Sequence, residues 1–115
     1  MVSNERISSN LRKGLAEFCV LAILRDGSTY GLEMARRLER DGLIAGESTL
    51  YPLMTRLQAA GLVDSAWTSS PNGRPRKYYT LTSTGADALE TFERIWPPLR
   101  NAVDRTLGEE TANET

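Results

Sequence analysis

The chain has 115 residues, 40% of them hydrophobic and 25% charged, with a formal net charge of −1. That length closes a single modest core, the composition is that of an ordinary soluble globular domain, and the neutral total excludes a strongly basic chain. There is no histidine and one cysteine, Cys19, which excludes an intrachain disulfide framework and removes the commonest general base and metal ligand.

Met1 to Asn10 is polar, with Ser-Asn repeats, and reads as a flexible arm. From Leu11 to Arg25 the pattern is helical and apolar almost all round, so the helix must be covered on several sides, in part by a second subunit. Its apolar run, Leu15 to Leu24, is interrupted by Glu17 and falls far short of the roughly 20 residues of a membrane span. Asp26-Gly27-Ser28 is a stop signal. A second helix is predicted from about Tyr30 to Asp41, with Leu32, Ala35 and Leu38 on its inner face and Arg36, Arg37 and Arg40 outside. A connector over residues 42–47 carries Leu43 and Ile44, apolar enough to pack down.

Ser48 or Thr49 suits the N-cap of a third helix, which places Pro52 in or just after the first turn. Leu50, Leu53, Met54 and Leu57 fall on one arc about 100° wide. Tyr51, Thr55 and Gln58 lie opposite, flanked by Ser48 and Arg56. Gly61 ends this helix. Leu62 to Thr68 reads as a strand, Ser69 to Pro75 as a turn around Pro-Asn-Gly, and Arg76 to Thr82 as the return strand. Thr82 or Ser83 caps a last helix in which Leu89, Phe92, Trp96, Leu99 and Val103 recur at spacings of 3, 4, 3 and 4, a stripe suited to a partner helix. Unbroken to Leu107, it would run on the order of 37 Å. Pro97-Pro98 predicts a kink or break inside it. The acidic tail, residues 108–115, reads as disordered.

The order is helices, then a strand, a basic turn and a return strand. The predicted fold is therefore mainly α with a small β-hairpin, α+β. It is a winged helix-turn-helix over residues 11–82, with an N-terminal helix and a long C-terminal dimerisation helix over 83–107. The charge distribution agrees. Residues 11–78 carry ten Lys/Arg against seven Asp/Glu, whereas residues 79–115 carry three against seven. Between Ser65 and Ala86 no acid occurs, and Arg74, Arg76 and Lys77 cluster there. Locally clustered charge steers a phosphate backbone whatever the total.

The third helix presents Ser48, Thr49, Tyr51 and Thr55 in the turns that recognition helices use on base edges, and Arg56 suits phosphate or guanine. Taken alone, the helix fits an ordinary amphipathic surface helix equally well. The wing tilts that balance, because a cationic tip directly after a helix-turn-helix pattern is placed to contact phosphates or the minor groove. Tyr78 and Tyr79 alternate faces, one for the core and one for the backbone of DNA.

Four pieces in order carry a resemblance: Tyr30-Gly31-Leu32-Glu33; Ser48-Thr49-Leu50-Tyr51-Pro52-Leu53 with Arg56-Leu57; Gly61-Leu62-Val63; and the run from Arg76 to Thr82 followed by Gly85. Over residues 11–107 the chain resembles the PadR family of transcriptional regulators, in its short subgroup with one C-terminal helix. The resemblance implies a homodimeric repressor that binds double-stranded operator DNA and pairs through its first and last helices. By the same likeness Ser48, Thr49, Tyr51, Thr55 and Arg56 fall on the recognition helix and Arg74, Arg76 and Lys77 on the wing. Tyr30 at the start of the second helix joins them as a DNA contact. Pro97-Pro98 departs from the usual unbroken last helix and bears on dimer geometry.

Some short relatives hold flat aromatic compounds at the dimer interface against a tryptophan of the last helix, which makes Trp96 a candidate effector contact. The simpler reading of Trp96 is an apolar knob of the dimer seam. Trp67 reads as a strand-packing residue, and Cys19 as core rather than redox sensor, since no cation adjoins it. The rival classes are a winged helix serving only as a protein-interaction module and a small enzyme. For the latter no nucleophile–base pair, metal cluster or phosphate loop is present. No cofactor, metal or membrane partner is implied, and the expected location is the cytoplasm.

Overall fold

A computed structural model describes residues 3–69 and 71–108. The chain first turns at Gly14, whose φ of 79° lies in the left-handed region that a side chain resists. This turn splits the helix expected from Leu11 into α1 (Asn4–Arg12) and α2 (Leu15–Arg25). The expected flexible arm over residues 1–10 is corrected at the same place, because the chain is helical from Asn4. Ser3, one of the serines that suggested a loop, acts instead as the N-cap and accepts the Arg6 N–H at 3.1 Å. The Arg12 guanidinium bonds the Ser8 hydroxyl one turn back. No α1 residue is buried. Residues 1–2 lie outside the described residues.

Helix α2 buries Ala16, Val20, Leu21 and Leu24 and leaves Phe18, Cys19, Ala22 and Ile23 partly covered. It is followed by a strand too short for any sequence pattern, β1 (Thr29–Tyr30), which pairs Tyr30 with Tyr78. Tyr30 is thus extended and N-caps the next helix, α3 (Gly31–Arg40), rather than starting it. Met34, Ala35 and Leu38 form the buried face of α3. Leu32, expected there, lies about 200° around the helix from Met34 and is exposed.

The third long helix, α4 (Glu47–Ala59), starts earlier than expected. Gly46 is its N-cap, and Thr49 donates its N–H to the Gly46 carbonyl at 3.0 Å. Ser48 and Thr49 therefore lie in the first turn rather than capping it. Pro52 therefore sits two or three residues deeper than predicted, leaving the Ser48 carbonyl without its intrahelical donor. The end is as expected: Gly61 has φ 76°, and the Leu62 N–H returns to the Leu57 carbonyl at 3.0 Å, closing the last turn.

Strands β2 (Val63–Ser69) and β3 (Pro75–Leu81) form an antiparallel hairpin in register from Val63↔Leu81 to Ser69↔Pro75. With β1 the sheet order is β1-β3-β2. Helix α5 (Ser83–Thr106) then packs its first half on α2. Thr82 caps it, accepting the Gly85 N–H at 2.9 Å while donating to the Gly61 carbonyl at 2.7 Å. One threonine thus fixes the start of α5 to the end of α4.

Helix α5 is continuous through Pro97 and Pro98, which corrects the expected break. Each proline removes one N–H, so only the carbonyls of Glu93 and Arg94 lose their intrahelical donors. Both residues are exposed, so water can serve those oxygens. The helix is also anchored before the prolines. Phe18 of α2 stacks on Phe92 at 4.4 Å, Phe92 stacks on Trp96 at 5.9 Å, and Arg25 pairs with Glu93 at 2.9 Å. Of the expected disordered tail, Gly108 is described, its N–H donating to the Arg105 carbonyl at 3.0 Å, and residues 109–115 lie outside the described residues.

One core joins these pieces, with Leu21, Met34, Leu38, Leu50, Met54, Leu57 and Val63 almost wholly buried. No buried side-chain N or O atom among the described residues lacks a hydrogen-bond partner. The molecule is a winged helix-turn-helix extended by α1 and the second half of α5.

Candidate nucleic-acid interface

Four apolar side chains, Leu50, Leu53, Met54 and Leu57, seat α4 in the core, so its remaining circumference must face outward. At 100° per residue the outward positions divide into two flanks. Ser48, Tyr51 and Thr55 lie within about 60° of one another, all exposed. Thr49 and Arg56 lie about 140–160° around from Tyr51, on the other side.

The first flank is ordered by hydrogen bonds within the helix. The Tyr51 hydroxyl donates to Glu47 Oε2 at 2.8 Å, and the Thr55 hydroxyl donates to the Tyr51 carbonyl at 2.9 Å. The Tyr51 ring rests on Gly31, where a Cβ would come within 3.2 Å of its Cε1 atom. The Tyr51 phenol is pushed above its ordinary pKa, first by the bond to Glu47 and then by burial. It therefore stays a proton donor at neutral pH.

On the second flank Arg56 reaches Glu17 of α2 at 3.3 Å. The arginine side chain is 61% exposed in that pair, and such exposed pairs are worth about 0–1 kcal/mol. Arg56 and Thr49 line a concavity of about 600 Å³ with Arg12 and Lys13 from the α1–α2 joint. No sequence pattern had linked those two cations to α4.

The pleat of the hairpin sends the wing cations to opposite faces. Arg76 lies 4.4 Å over the Tyr30 ring, which meets Tyr78 edge-on at 5.6 Å. Lys77 shares the other face with its cross-strand partner Trp67 and lies 5.7 Å over Tyr79. Cations over aromatic faces are attracted by the ring quadrupole, which favours these placements. Tyr79 is buried, so one of that pair packs on the core as expected, and Tyr78 is half-buried against Tyr30. Arg74 stands at the exposed turn, its backbone N–H donated to Asn72 Oδ1 at 3.2 Å.

Between α4 and the wing these groups enclose an open concavity of about 580 Å³. Of the residues singled out from the sequence, it gathers Tyr30, Tyr51, Thr55, Arg76 and Lys77. Ser48 lies at its rim by helix geometry, Arg74 at the wing tip, Thr49 and Arg56 on the far flank, and Trp96 on another element altogether. Other lining residues were missed, Trp67 and Glu47 among them. Trp67 is 68% exposed, not packed in the core, because this part of β2 extends beyond the reach of the helices. Glu47, masked in the sequence as part of a connector, is the first residue of α4.

The PadR-like transcriptional regulator family matches this chain over residues 20–91, from α2 into α5. The chain belongs to that family. The solved PadR-like transcriptional regulator from Bacillus cereus is 32% identical and superposes with a TM-score of 0.77, covering 88% of this chain and 99% of its own. A PadR-family regulator from Eggerthella lenta gives 36% and 0.76, covering 88% of each chain. A transcriptional regulator of Mycobacterium tuberculosis is 33% identical over 78 residues, which is 68% of this chain and 72% of that protein. This PadR-like chain is therefore a DNA-binding regulator of transcription and not an enzyme.

No helix among the described residues is long and apolar enough to cross a membrane. Their Cys, Asp and Glu side chains form no group of three or more able to hold a metal ion. Cys19 is half-buried, and burial, then the charge of Asp41, pushes its thiol above the ordinary value. A thiol held that way is a poor nucleophile, in keeping with a packing role.

Proposed function

We propose that this PadR-like regulator is a homodimeric cytoplasmic repressor that reads an operator with two α4 helices and grips it with two wings. The observation that carries this reading is the concavity of about 580 Å³ that Tyr51 and Thr55 of the hydroxyl-bearing flank of α4 line together with Arg76 and Lys77 of the wing. Ser48, Tyr51 and Thr55 then meet base edges, with Tyr30 at the rim. Arg74, Arg76 and Lys77 take phosphates or the adjoining minor groove. Thr49 and Arg56 face the opposite wall of the same groove. The Arg56–Glu17 pair is weak enough for a phosphate to displace. Dimerisation sets the two helices on successive turns of DNA, about 34 Å apart.

A flat aromatic effector at Trp96 has a narrower footing. The indole already stacks on Phe92, so a ligand would use its other face or displace that ring. Repression as proposed does not require it.

The test is a salt titration on the DNA upstream of the regulator's own gene. For every phosphate neutralised, log K falls by about 0.9 per decade of salt. Replacing Arg74→Ala together with Arg76→Ala is expected to weaken binding and flatten that slope by roughly two contacts' worth. Unchanged affinity and slope in the double variant remove the wing from the interface.

A further inference from the structure

The concavity contains one carboxylate in a place where a phosphate grip would want none. Glu47 opens α4, exposed, on the flank of Tyr51 and Thr55. Ion pairs between described residues engage Glu17, Glu90 and Glu93 but not Glu47. Its partner is the Tyr51 hydroxyl, at 2.8 Å from Oε2. Tyr51 is in turn buttressed, because its ring lies close against Gly31, where a Cβ would come within 3.2 Å of Cε1. A flexible acid is thus held at one end by a buttressed donor, with further lone pairs on both oxygens open to the groove.

We propose that Glu47 is a base-selecting residue, its carboxylate held by Tyr51 so as to accept the N4 amino group of a cytosine in the major groove. This rests on α4 being the groove helix. Cytosine follows from the code of the groove. Guanine presents only acceptors there, thymine an acceptor and a methyl group, and adenine a donor beside the N7 acceptor. A carboxylate is repelled by each acceptor, and cytosine alone among the bases offers a donor without one. The same charge disfavours loose contact with the phosphate backbone, so Glu47 adds selectivity at the expense of general affinity. Toward this one cytosine Tyr51 acts through Glu47 as a positioning residue.

The experiment is selection from a pool of random-sequence duplex DNA, sequenced before and after capture by the full-length protein. The wild type is expected to enrich cytosine about tenfold at one position of each half-site. Glu47→Gln, which keeps the shape but adds an amide donor, should abolish that enrichment and admit adenine, the usual partner of glutamine. Tyr51→Phe should reduce the cytosine enrichment partway, and the double variant should be no worse than Glu47→Gln alone. A Tyr51 that served only to pack the helix would not give that non-additive result. Both residues are exposed, and an unchanged circular dichroism spectrum checks that the variants fold. If wild type and Glu47→Gln enrich the same cytosine equally, the inference is overturned while the reading of α4 stands. If the wild type enriches no sequence, both fall.

Discussion

Gly85 has no room for a methyl group. A Cβ there would meet the Leu62 carbonyl oxygen at 2.1 Å and Leu81 Cδ1 at 2.7 Å, and the first of these is backbone that cannot swing aside. Two effects of Gly85→Ala oppose each other. Helix propensity favours alanine by about 1 kcal/mol, whereas overpacking of this kind costs about 1–3 kcal/mol. The clash is expected to win, lowering the urea midpoint, and a raised midpoint would show that α5 docks differently. This glycine was legible in the sequence only as part of a family-like string; its reason is a close approach between chain segments more than twenty residues apart. Residue roles in general were legible where periodicity decides them. The four core positions of α4 and the packing of one of Tyr78 and Tyr79 on the core came directly from 100° and two-residue repeats. Trp67, Glu47 and Arg56 were not so legible. An apolar residue on a strand reads as core unless one knows where the core ends, and an ion pair such as Arg56–Glu17 joins residues 39 positions apart.

At the scale of elements, boundaries shifted wherever one residue could play two parts. Serine favours both loops and N-caps, and at Ser3 the cap won, turning the expected arm into α1. Glycine both ends and begins helices, so Gly14 divided what looked like one helix and Gly46 started α4 ahead of its two hydroxyl candidates. The proline pair in α5 predicted a kink or a break, and the helix runs through it unbroken. Proline inside a helix is unfavourable by about 3 kcal/mol relative to alanine, yet the stack of Phe18, Phe92 and Trp96 and the Arg25–Glu93 pair fix the helix on the near side. The deficit remains built into α5. Pro98→Ala restores the Arg94 carbonyl's donor and is expected to stabilise the fold by about 1–3 kcal/mol, seen as a higher thermal midpoint with a small gain in helical ellipticity. A lower midpoint would mean that the proline packs favourably against something, and a partner helix is then the place to look.

Over the whole molecule the apolar surface does not balance. The stripe read from the sequence divides in two: Leu89 is buried and Phe92 and Trp96 half-buried, while Leu99 and Val103 are 53% and 51% exposed, and Leu107 just beyond the helix is 71% exposed. Ile7 and Leu11 of α1 are exposed at the other end of the sequence, on a nine-residue helix that buries nothing and is too short to be stable alone in water. The radius of gyration, 16.6 Å, exceeds the roughly 13 Å of a compact chain this long, because α5 projects beyond the winged helix. Exposed stripes on the first and last helices are what a second copy would cover, and the sequence signalled this through an apolar repeat longer than one small domain can bury. Sedimentation at micromolar concentration is expected to give a dimer, and Leu99→Glu with Val103→Glu a monomer. Helicity should fall in that monomer, since α1 and the end of α5 lose their cover. Operator affinity should fall by a factor of 10² or more, because one half-site then binds without the effective concentration its twin supplies. A wild-type monomer, or a charged double variant that remains dimeric, would place the partner surface elsewhere and leave the two α4 helices without a fixed spacing.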